Sequence, residues 1–143
     1  MATRQAHARR RGTLEDGKGT VDFGDGLFEA PYSFASRFEA GTGTNPEELS
    51  GAAHASCFAM ALSLLLSEAN FKPDYIDATA RVTIKSQEGS FRIGSSHLVC
   101  EARVPGMEAA SFAQQAEKAK ANCPVSKALA GTQITLEATL LGK

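Results

Sequence analysis

The spacing of hydrophobic and polar residues changes along the chain, from a helical pattern to the alternation of strands. Between Thr44 and Ser67, apolar or small side chains occupy nearly every helical position, which predicts a long helix that is buried on all sides. Thr44 or Asn45 can cap its first turn, and Pro46 supplies the fixed φ that suits the first helical position. From residue 77 onward, apolar and polar side chains alternate, which predicts strands.

Two alternating runs joined by a tight turn follow the helix and predict an antiparallel pair of strands. Residues 78–84 and 98–104 each place their apolar side chains on one face. The turn between the two runs falls at Glu88-Gly89-Ser90. The remaining predicted elements are a helix over residues 109–121, a helical restart at Cys123-Pro124, and a strand over residues 132–141.

The residues before the helix predict a small β structure of their own. Residues 19–23 form a strand, Gly24-Asp25-Gly26 turns the chain into a hairpin, and residues 32–38 alternate as a further strand. Strands on both sides of the helix indicate an α+β fold, with antiparallel sheets around a long buried central helix. The length of 143 residues suits a single domain covering residues 1–143.

Composition and charge argue against several classes of function. A hydrophobic fraction of 43% and a charged fraction of 22% are typical of a globular protein, and the net charge of −1 argues against nucleic-acid binding. The arginines near the start are best interpreted as a solvated or strand-edge segment. No run approaches the roughly 20 apolar residues of a membrane helix, and no secretory signal is evident. We therefore expect a cytoplasmic protein with no nucleic-acid or membrane partner.

A helix that is apolar on all sides needs cover on all sides, and one sheet covers only one of them. The simplest arrangement is a homodimer in which the two long helices pack together between the sheets. The sequence thus predicts that a second copy of the chain is a partner.

The three cysteines, Cys57, Cys100 and Cys123, differ in their surroundings. Cys57 lies within the long helix and is either a buried core cysteine or a reactive thiol. Cys100 lies on an apolar strand face and is interpreted as core. Cys123 precedes Pro124 at a predicted helix start, where a thiolate is stabilised. No metal-ligand spacing is present, so structural zinc is not expected.

Other polar residues near these cysteines leave alternatives open. His54 precedes Cys57 by three positions and is either a partner for a nucleophilic thiol or a satisfied interior histidine. Arg37 and Glu47 flank a glycine-rich loop and can form an ion pair, which is as consistent with a surface pair as with a site. The aromatic and methionine side chains that could line a pocket are equally consistent with core: Phe34, Phe38, Phe58 and Met60.

Four motifs together resemble the family of osmotically inducible protein C and organic hydroperoxide resistance proteins (OsmC/Ohr). They are Arg37-Phe38-Glu39, Thr44-Asn45-Pro46-Glu47-Glu48-Leu49, Gly51-Ala52-Ala53-His54-Ala55-Ser56-Cys57 and Cys123-Pro124-Val125-Ser126. The likeness covers nearly the whole chain, and His54 and Val125 are similar to the OsmC branch.

The resemblance implies a cysteine-based peroxidase that reduces organic hydroperoxides and, more weakly, hydrogen peroxide. By motif position Cys57 corresponds to the peroxidatic cysteine and Cys123 to the resolving cysteine, with which it forms a disulfide. Arg37 and Glu47 correspond to the pair around the reactive sulfur. The resemblance further implies an intertwined dimer without a prosthetic cofactor, recycled by an external dithiol such as protein-bound lipoyl groups.

The separation of Glu47 and Cys57 along the helix predicts where the active site lies, and two other functions stay open. Glu47 and Cys57 are ten positions apart, or about 15 Å along an unbroken helix, so they could meet in one subunit only if the helix breaks near Gly51. We therefore expect active sites shared between subunits. The alternative functions are a dimer that binds a hydrophobic ligand, and a hydrolase or acyl transferase that uses Cys57 and His54.

Overall fold

The structure is a computed structural model that describes residues 1–142, and these form six strands and four helices. The described part of the chain divides into two compact units, Met1–Leu49 and a second unit that begins at Ser50. The elements in chain order are β1 (Ala6–Arg11), β2 (Lys18–Phe23), β3 (Phe28–Tyr32), α1 (Phe34–Phe38), α2 (Pro46–Glu68), β4 (Tyr75–Gln87), β5 (Ser90–Arg103), α3 (Ala109–Asn122), α4 (Pro124–Ala128) and β6 (Gln133–Leu140).

The first unit contains an antiparallel sheet with the order β1-β2-β3. The predicted hairpin is confirmed, because β2 and β3 pair from Phe23 opposite Phe28. Asp25 in the turn has φ of 53° and lies between two glycines that also have positive φ. The arginine-rich start forms β1, an edge strand that pairs only with β2 among the described strands.

The prediction of a strand over residues 32–38 is wrong, because β3 ends at Tyr32 and helix α1 follows. Ser33 and Ser36 form a capping box. The Ser36 N–H donates to Oγ of Ser33 at 3.1 Å, and the Ser33 N–H donates to Oγ of Ser36 at 2.8 Å. These local hydrogen bonds favour a helical turn over the extended conformation that the alternating pattern indicates.

Helix α2 begins at Pro46 and continues without interruption to Glu68. Asn45 caps it, since Oδ1 of Asn45 accepts the N–H of Glu48 at 2.8 Å. Sequence reasoning expected a helix buried on all sides, but within this chain only one face is buried. Met60 is 75% exposed and Leu64 is 60% exposed, whereas Phe58 and its neighbours one and two turns onward have no exposed surface.

The same helix is long and apolar enough to cross a membrane by length and composition. This corrects the expectation that no run of the chain approaches that length. The criterion is also met by core helices of folded domains, so it is weak evidence for a membrane span.

The second unit contains a sheet with the order β4-β5-β6, in which β4 and β5 are antiparallel and β5 and β6 are parallel. The predicted α+β fold is confirmed, and the parallel pair makes this sheet mixed rather than antiparallel throughout. Helices α3 and α4 supply the crossover that a parallel connection requires. The turn between β4 and β5 has positive φ at both Glu88 and Gly89.

The core of the second unit lies where one face of the sheet meets the helices. The predicted apolar face of β5 is confirmed: its side chains from Leu98 to Ala102 at alternate positions are fully buried. Helices α2 and α3 cover this face. Their fully or almost fully buried residues are Phe58, Leu62, Leu66, Phe112, Ala116 and Ala119.

Candidate active site

Cys57 and Cys123 lie side by side in the second unit, although they are far apart in the sequence. Cys57 is half-buried on α2, and Cys123 has no exposed surface at the junction of α3 and α4. Both are free thiols. The two side chains are in hydrogen-bond contact, and the backbone N–H of Val125 donates to the Cys57 sulfur. This contact lets one sulfur react with the other.

The surroundings of Cys57 in the second unit oppose its ionisation. Burial raises the pKa of the Cys57 thiol, and the Cys123 side chain raises it further. The Val125 N–H acts in the opposite direction, because it stabilises a thiolate. The net direction is upward, so a reactive thiolate at Cys57 requires positive charge from elsewhere.

Cys123 is fixed by the two helices that it joins. Its N–H donates to the carbonyl of Ala119 at 3.0 Å and closes α3, and its carbonyl accepts the N–H of Lys127 at 3.1 Å and opens α4. Pro124 has no N–H to satisfy and suits the first position of α4. The thiol therefore sits at a defined corner of the backbone.

Arg37 and Glu47 form an ion pair in the first unit. Nε of Arg37 donates to Oε1 of Glu47 at 3.0 Å and to Oε2 at 3.3 Å, and Nη2 lies 3.0 Å from Oε1. The Glu47 side chain is only 9% exposed, while that of Arg37 is 34% exposed. Because two nitrogens of Arg37 contact one carboxylate, the orientation of the planar guanidinium is fixed, and its remaining N–H groups are available to other acceptors.

Side chains of Ser36 and Asn45 tie the arginine-bearing helix α1 to the start of α2. Oγ of Ser36 donates to the carbonyl of Thr44 at 2.7 Å, and Nδ2 of Asn45 donates to the carbonyl of Ser36 at 2.9 Å. Asn45 thus caps α2 and holds α1 with the same amide. Glu48 serves the helix start, where Oε2 accepts from the Thr44 hydroxyl at 3.3 Å. The sequence offers Thr44 or Asn45 as the cap; the structure uses Asn45, and nothing in the sequence marks its second bond, to the carbonyl of Ser36.

A small cleft of about 60 Å³ lies beside Arg37. Two of the four side chains proposed from sequence as a pocket lining, Phe34 and Phe38, border it. Of the other two, Phe58 is in the core and Met60 is exposed. The residues that line the cleft are Arg10, Leu14, Tyr32, Ser33, Phe34, Arg37, Phe38 and Pro46.

His54 is a buried histidine whose two ring nitrogens both have hydrogen-bond partners. Its Nδ1 is 2.7 Å from Oγ of Ser96, and its Nε2 is 2.8 Å from Oγ of Ser126. Burial lowers the pKa of His54, so its ring is neutral near pH 7. With both ring nitrogens engaged by serines, His54 is not placed to take a proton from Cys57. This arrangement argues against the Cys–His hydrolase alternative.

Cys100 is buried on β5 and is not part of the Cys57–Cys123 pair. Burial, followed by the charges of Asp77 and Glu101, raises the pKa of Cys100 to about 11. Its strand partners are Ala78 and Ala138, and its interpretation as core agrees with its full burial. Within residues 1–142, no group of three or more His, Cys, Asp and Glu side chains is placed to hold a metal ion.

Comparison with known proteins gives a consistent family. Residues 39–138 match the family described as OsmC-like protein. The chain is 47% identical over 135 residues to peroxiredoxin OsmC of Escherichia coli K12, covering 94% of each chain. It is 36% identical over 94 residues to an organic hydroperoxide resistance protein of Xanthomonas axonopodis pv. citri, covering 64% of this chain and 63% of the relative. The crystal structure of the organic hydroperoxide resistance protein OhrB of Bacillus subtilis superimposes with a TM-score of 0.75 at 28% identity, covering 94% of this chain and 97% of that one.

Proposed function

Because this chain belongs to the family of OsmC-like proteins, we propose that it reduces organic hydroperoxides through Cys57 and Cys123. The enzyme is a cysteine-based peroxidase that detoxifies hydroperoxides, as the relatives named peroxiredoxin and organic hydroperoxide resistance protein indicate, and the predicted activity class is confirmed. The observation that supports the residue assignment is the contact between the Cys57 and Cys123 side chains. A core cysteine would not need a second thiol beside it.

In the first step, the Cys57 thiolate attacks the terminal oxygen of the hydroperoxide. The O–O bond breaks, the alkoxide takes a proton and leaves as alcohol, and Cys57 becomes a sulfenic acid. Arg37 provides the positive charge that favours the thiolate and stabilises the developing alkoxide. Glu47 holds the guanidinium by accepting from Nε and Nη2. The aromatic side chains beside Arg37 favour substrates with an apolar group over hydrogen peroxide.

In the second step, the Cys123 sulfur attacks the Cys57 sulfur. The S–O bond breaks, water leaves, and the Cys57–Cys123 disulfide protects Cys57 from further oxidation. An external dithiol then donates two electrons by thiol–disulfide exchange and restores both thiols. We assign this role to a dithiol of the lipoyl type, with no prosthetic cofactor on the enzyme. We infer that the protein works in the cytoplasm, because a reducing compartment supports such a cycle.

A second copy of the chain covers the exposed apolar face of α2. Ala53, Met60 and Leu64 lie on one side of this helix and are exposed in the single chain. An exposed apolar stripe opposite the buried face of a helix is typical of a homodimer interface. The matched family segment, residues 39–138, runs across the boundary between the two compact units, which supports one OsmC-like domain over residues 1–143.

Because α2 is unbroken from Pro46 to Glu68, Glu47 and Cys57 are about 15 Å apart along its axis at about 1.5 Å per residue. The break near Gly51 that would shorten this distance is absent from the described helix. The partner subunit therefore supplies the Arg37 and Glu47 that serve a given Cys57.

The test is hydroperoxide consumption in the presence of a dithiol, compared for wild type, Cys57→Ser and Cys123→Ser. Cumene hydroperoxide is offered beside hydrogen peroxide. We expect wild type to turn over with preference for the organic substrate. Cys57→Ser should be inactive, because no sulfur attacks the O–O bond. Cys123→Ser should consume about one equivalent and then stall unless the added dithiol reduces its sulfenic acid directly, because that sulfenic acid lacks a resolving thiol.

The residue assignment fails if Cys57→Ser consumes hydroperoxide as fast as wild type. In that case the alternative of a hydrophobic ligand bound by the dimer gains support, and mass spectrometry of the purified protein would look for a retained ligand.

A further inference from the structure

His54 connects three elements around the cysteine pair. It lies on α2 one turn before Cys57 and has no exposed surface. One ring nitrogen bonds Ser96 on β5 at 2.7 Å, and the other bonds Ser126 on α4 at 2.8 Å. Both serines are buried, so these bonds are shielded from water.

Ser126 belongs to the short segment that supplies both groups in contact with the Cys57 sulfur. Cys123, three residues earlier, contributes its side chain, and Val125, directly before Ser126, contributes its backbone N–H. The bond from His54 to Ser126 therefore links the helix that carries Cys57 to the segment that carries its partner thiol.

A neutral imidazole suits this link. It offers one donor and one acceptor, and each serine hydroxyl can donate or accept. Both bonds consequently persist in either tautomer of the ring, whereas a protonated ring would need both hydroxyls to accept. The burial of His54 keeps the neutral form.

We propose that His54 is a positioning residue for disulfide formation: through Ser126 it holds Cys123 against Cys57. This rests on the proposed function, in which the Cys123 sulfur bonds the Cys57 sulfur, the S–O bond of the sulfenic acid breaks, and hydroxide leaves with the thiol proton as water. His54 itself touches no reacting atom. It fixes the approach of one sulfur to the other.

The two serines provide a matched pair of variants. Ser126→Ala removes the link to the segment of Cys123, and Ser96→Ala removes an equivalent bond from the same ring on the opposite side. Each change leaves one buried ring nitrogen without its partner. We therefore expect similar decreases in melting temperature for both variants, and a selective effect on disulfide formation for Ser126→Ala alone.

Ellman's reagent separates the two reactions without using peroxide. Attack by Cys57 releases the first thionitrobenzoate and leaves a mixed disulfide, and attack by Cys123 on that disulfide releases the second. In stopped flow, we expect Ser126→Ala to slow the second release about tenfold or more, while Ser96→Ala stays within about twofold of wild type. The first release should stay comparable in both variants.

Conservative replacement of His54 distinguishes positioning from general stability. The amide nitrogen of Gln reaches the position of Nε2, whereas the amide oxygen of Asn reaches that of Nδ1. His54→Gln should therefore retain the second release near the wild-type rate. His54→Asn should slow it as Ser126→Ala does.

Equal slowing in the two serine variants, or no slowing in either, would overturn the proposal. The same variants are also tested for consumption of cumene hydroperoxide. Should wild type release both equivalents of thionitrobenzoate yet consume no hydroperoxide, the proposed function fails, while the comparison of Ser126→Ala with Ser96→Ala still decides the role of His54.

Discussion

The three cysteines show how the surroundings of a side chain decide its chemistry. Cys57 is half-buried and touches a second thiol and a backbone N–H, whereas Cys100 is fully buried between two alanines on the neighbouring strands. Burial raises the pKa of both thiols. The two thiols differ in the groups around them. Cys57 has neighbours that can stabilise or capture a reactive sulfur. Among its described strand neighbours, Cys100 has none.

We predict that Cys100 takes no part in peroxide reduction. Its pKa of about 11 keeps the thiol protonated at neutral pH, and the thiolate forms only as the pH approaches that value. Cys100→Ala should retain the rate of cumene hydroperoxide consumption within about twofold, because the change is small and the neighbouring side chains are also alanines.

The labelling pattern provides a second measurement for Cys100. Iodoacetamide at pH 8 should modify Cys57 in the folded protein, and Cys100 should be modified only after unfolding, as mapped by peptide mass spectrometry. Rapid labelling of Cys100 in the folded state would contradict its assignment to the core.

At the residue scale, the motifs point to Cys57, Cys123, Arg37 and Glu47, and the structure brings these together as two pairs, while their catalytic roles stay a prediction. Partners that come from distant elements have no such signal in the sequence. The two serines that engage His54 lie on β5 and α4. No local pattern marks them, because their proximity depends on how distant elements pack.

At the scale of elements, the alternation of apolar and polar residues predicted reliably which face of a strand is buried. The alternation in β4 and β5 predicted their buried sides, since a half-buried strand imposes a period of two. The same pattern misled at α1, where the capping box of Ser33 and Ser36 outweighs it. The parallel direction of β6 was also not predictable, because alternation reports which face is buried and not which way the neighbouring strand runs.

The amide of Asn45 has two separable tasks, and its variants should separate them. Asn45→Asp retains an oxygen that caps α2 but loses the N–H that donates to the carbonyl of Ser36. We expect this variant to keep most of its stability yet lower kcat/KM for cumene hydroperoxide several-fold, because α1 holds Arg37 less firmly. Asn45→Ala loses both bonds and should also cost about 1–2 kcal/mol in the free energy of unfolding.

Urea unfolding and steady-state kinetics measure these two effects independently. If Asn45→Asp matches wild type in kcat/KM, the bond to Ser36 has no part in placing Arg37. The cap would then be the only task of this side chain.

At the scale of the whole molecule, the exposed face of α2 and its unbroken length point to an assembly of two chains. The face that carries Met60 and Leu64 has no cover within the described residues, although the opposite face is fully packed. In the proposed homodimer, a second copy supplies that cover and also the charge that Cys57 requires. Stability and catalysis would then depend on the same interface.

We predict that Arg37 acts on Cys57 across the two subunits. Arg37→Ala and Cys57→Ser should each be inactive alone, but mixing them with subunit exchange creates heterodimers with one intact site. Random exchange should restore about a quarter of the wild-type activity, since half of the dimers are mixed and each has one working site of two.

Placing both changes on one chain and mixing it with wild type is the matched control. A site shared between subunits makes those heterodimers inactive, whereas a site within one subunit leaves each with one working site. With shared sites, only the wild-type homodimers of the control mixture are active, so it should retain about a quarter of the wild-type activity. About half of the wild-type activity in the control mixture, together with none in the first mixture, would contradict shared sites.

The parallel pairing of β5 with β6 also affects how the protein acquires its activity. Two consecutive parallel strands are joined by a long crossover, and contacts between distant parts of a chain form slowly because closing long loops costs entropy. Cys123 belongs to that crossover, whereas Cys57 lies on a helix that precedes the whole sheet. We therefore expect the two thiols to meet late in folding, so that a newly synthesised chain acquires its reactive pair only as its tertiary structure forms.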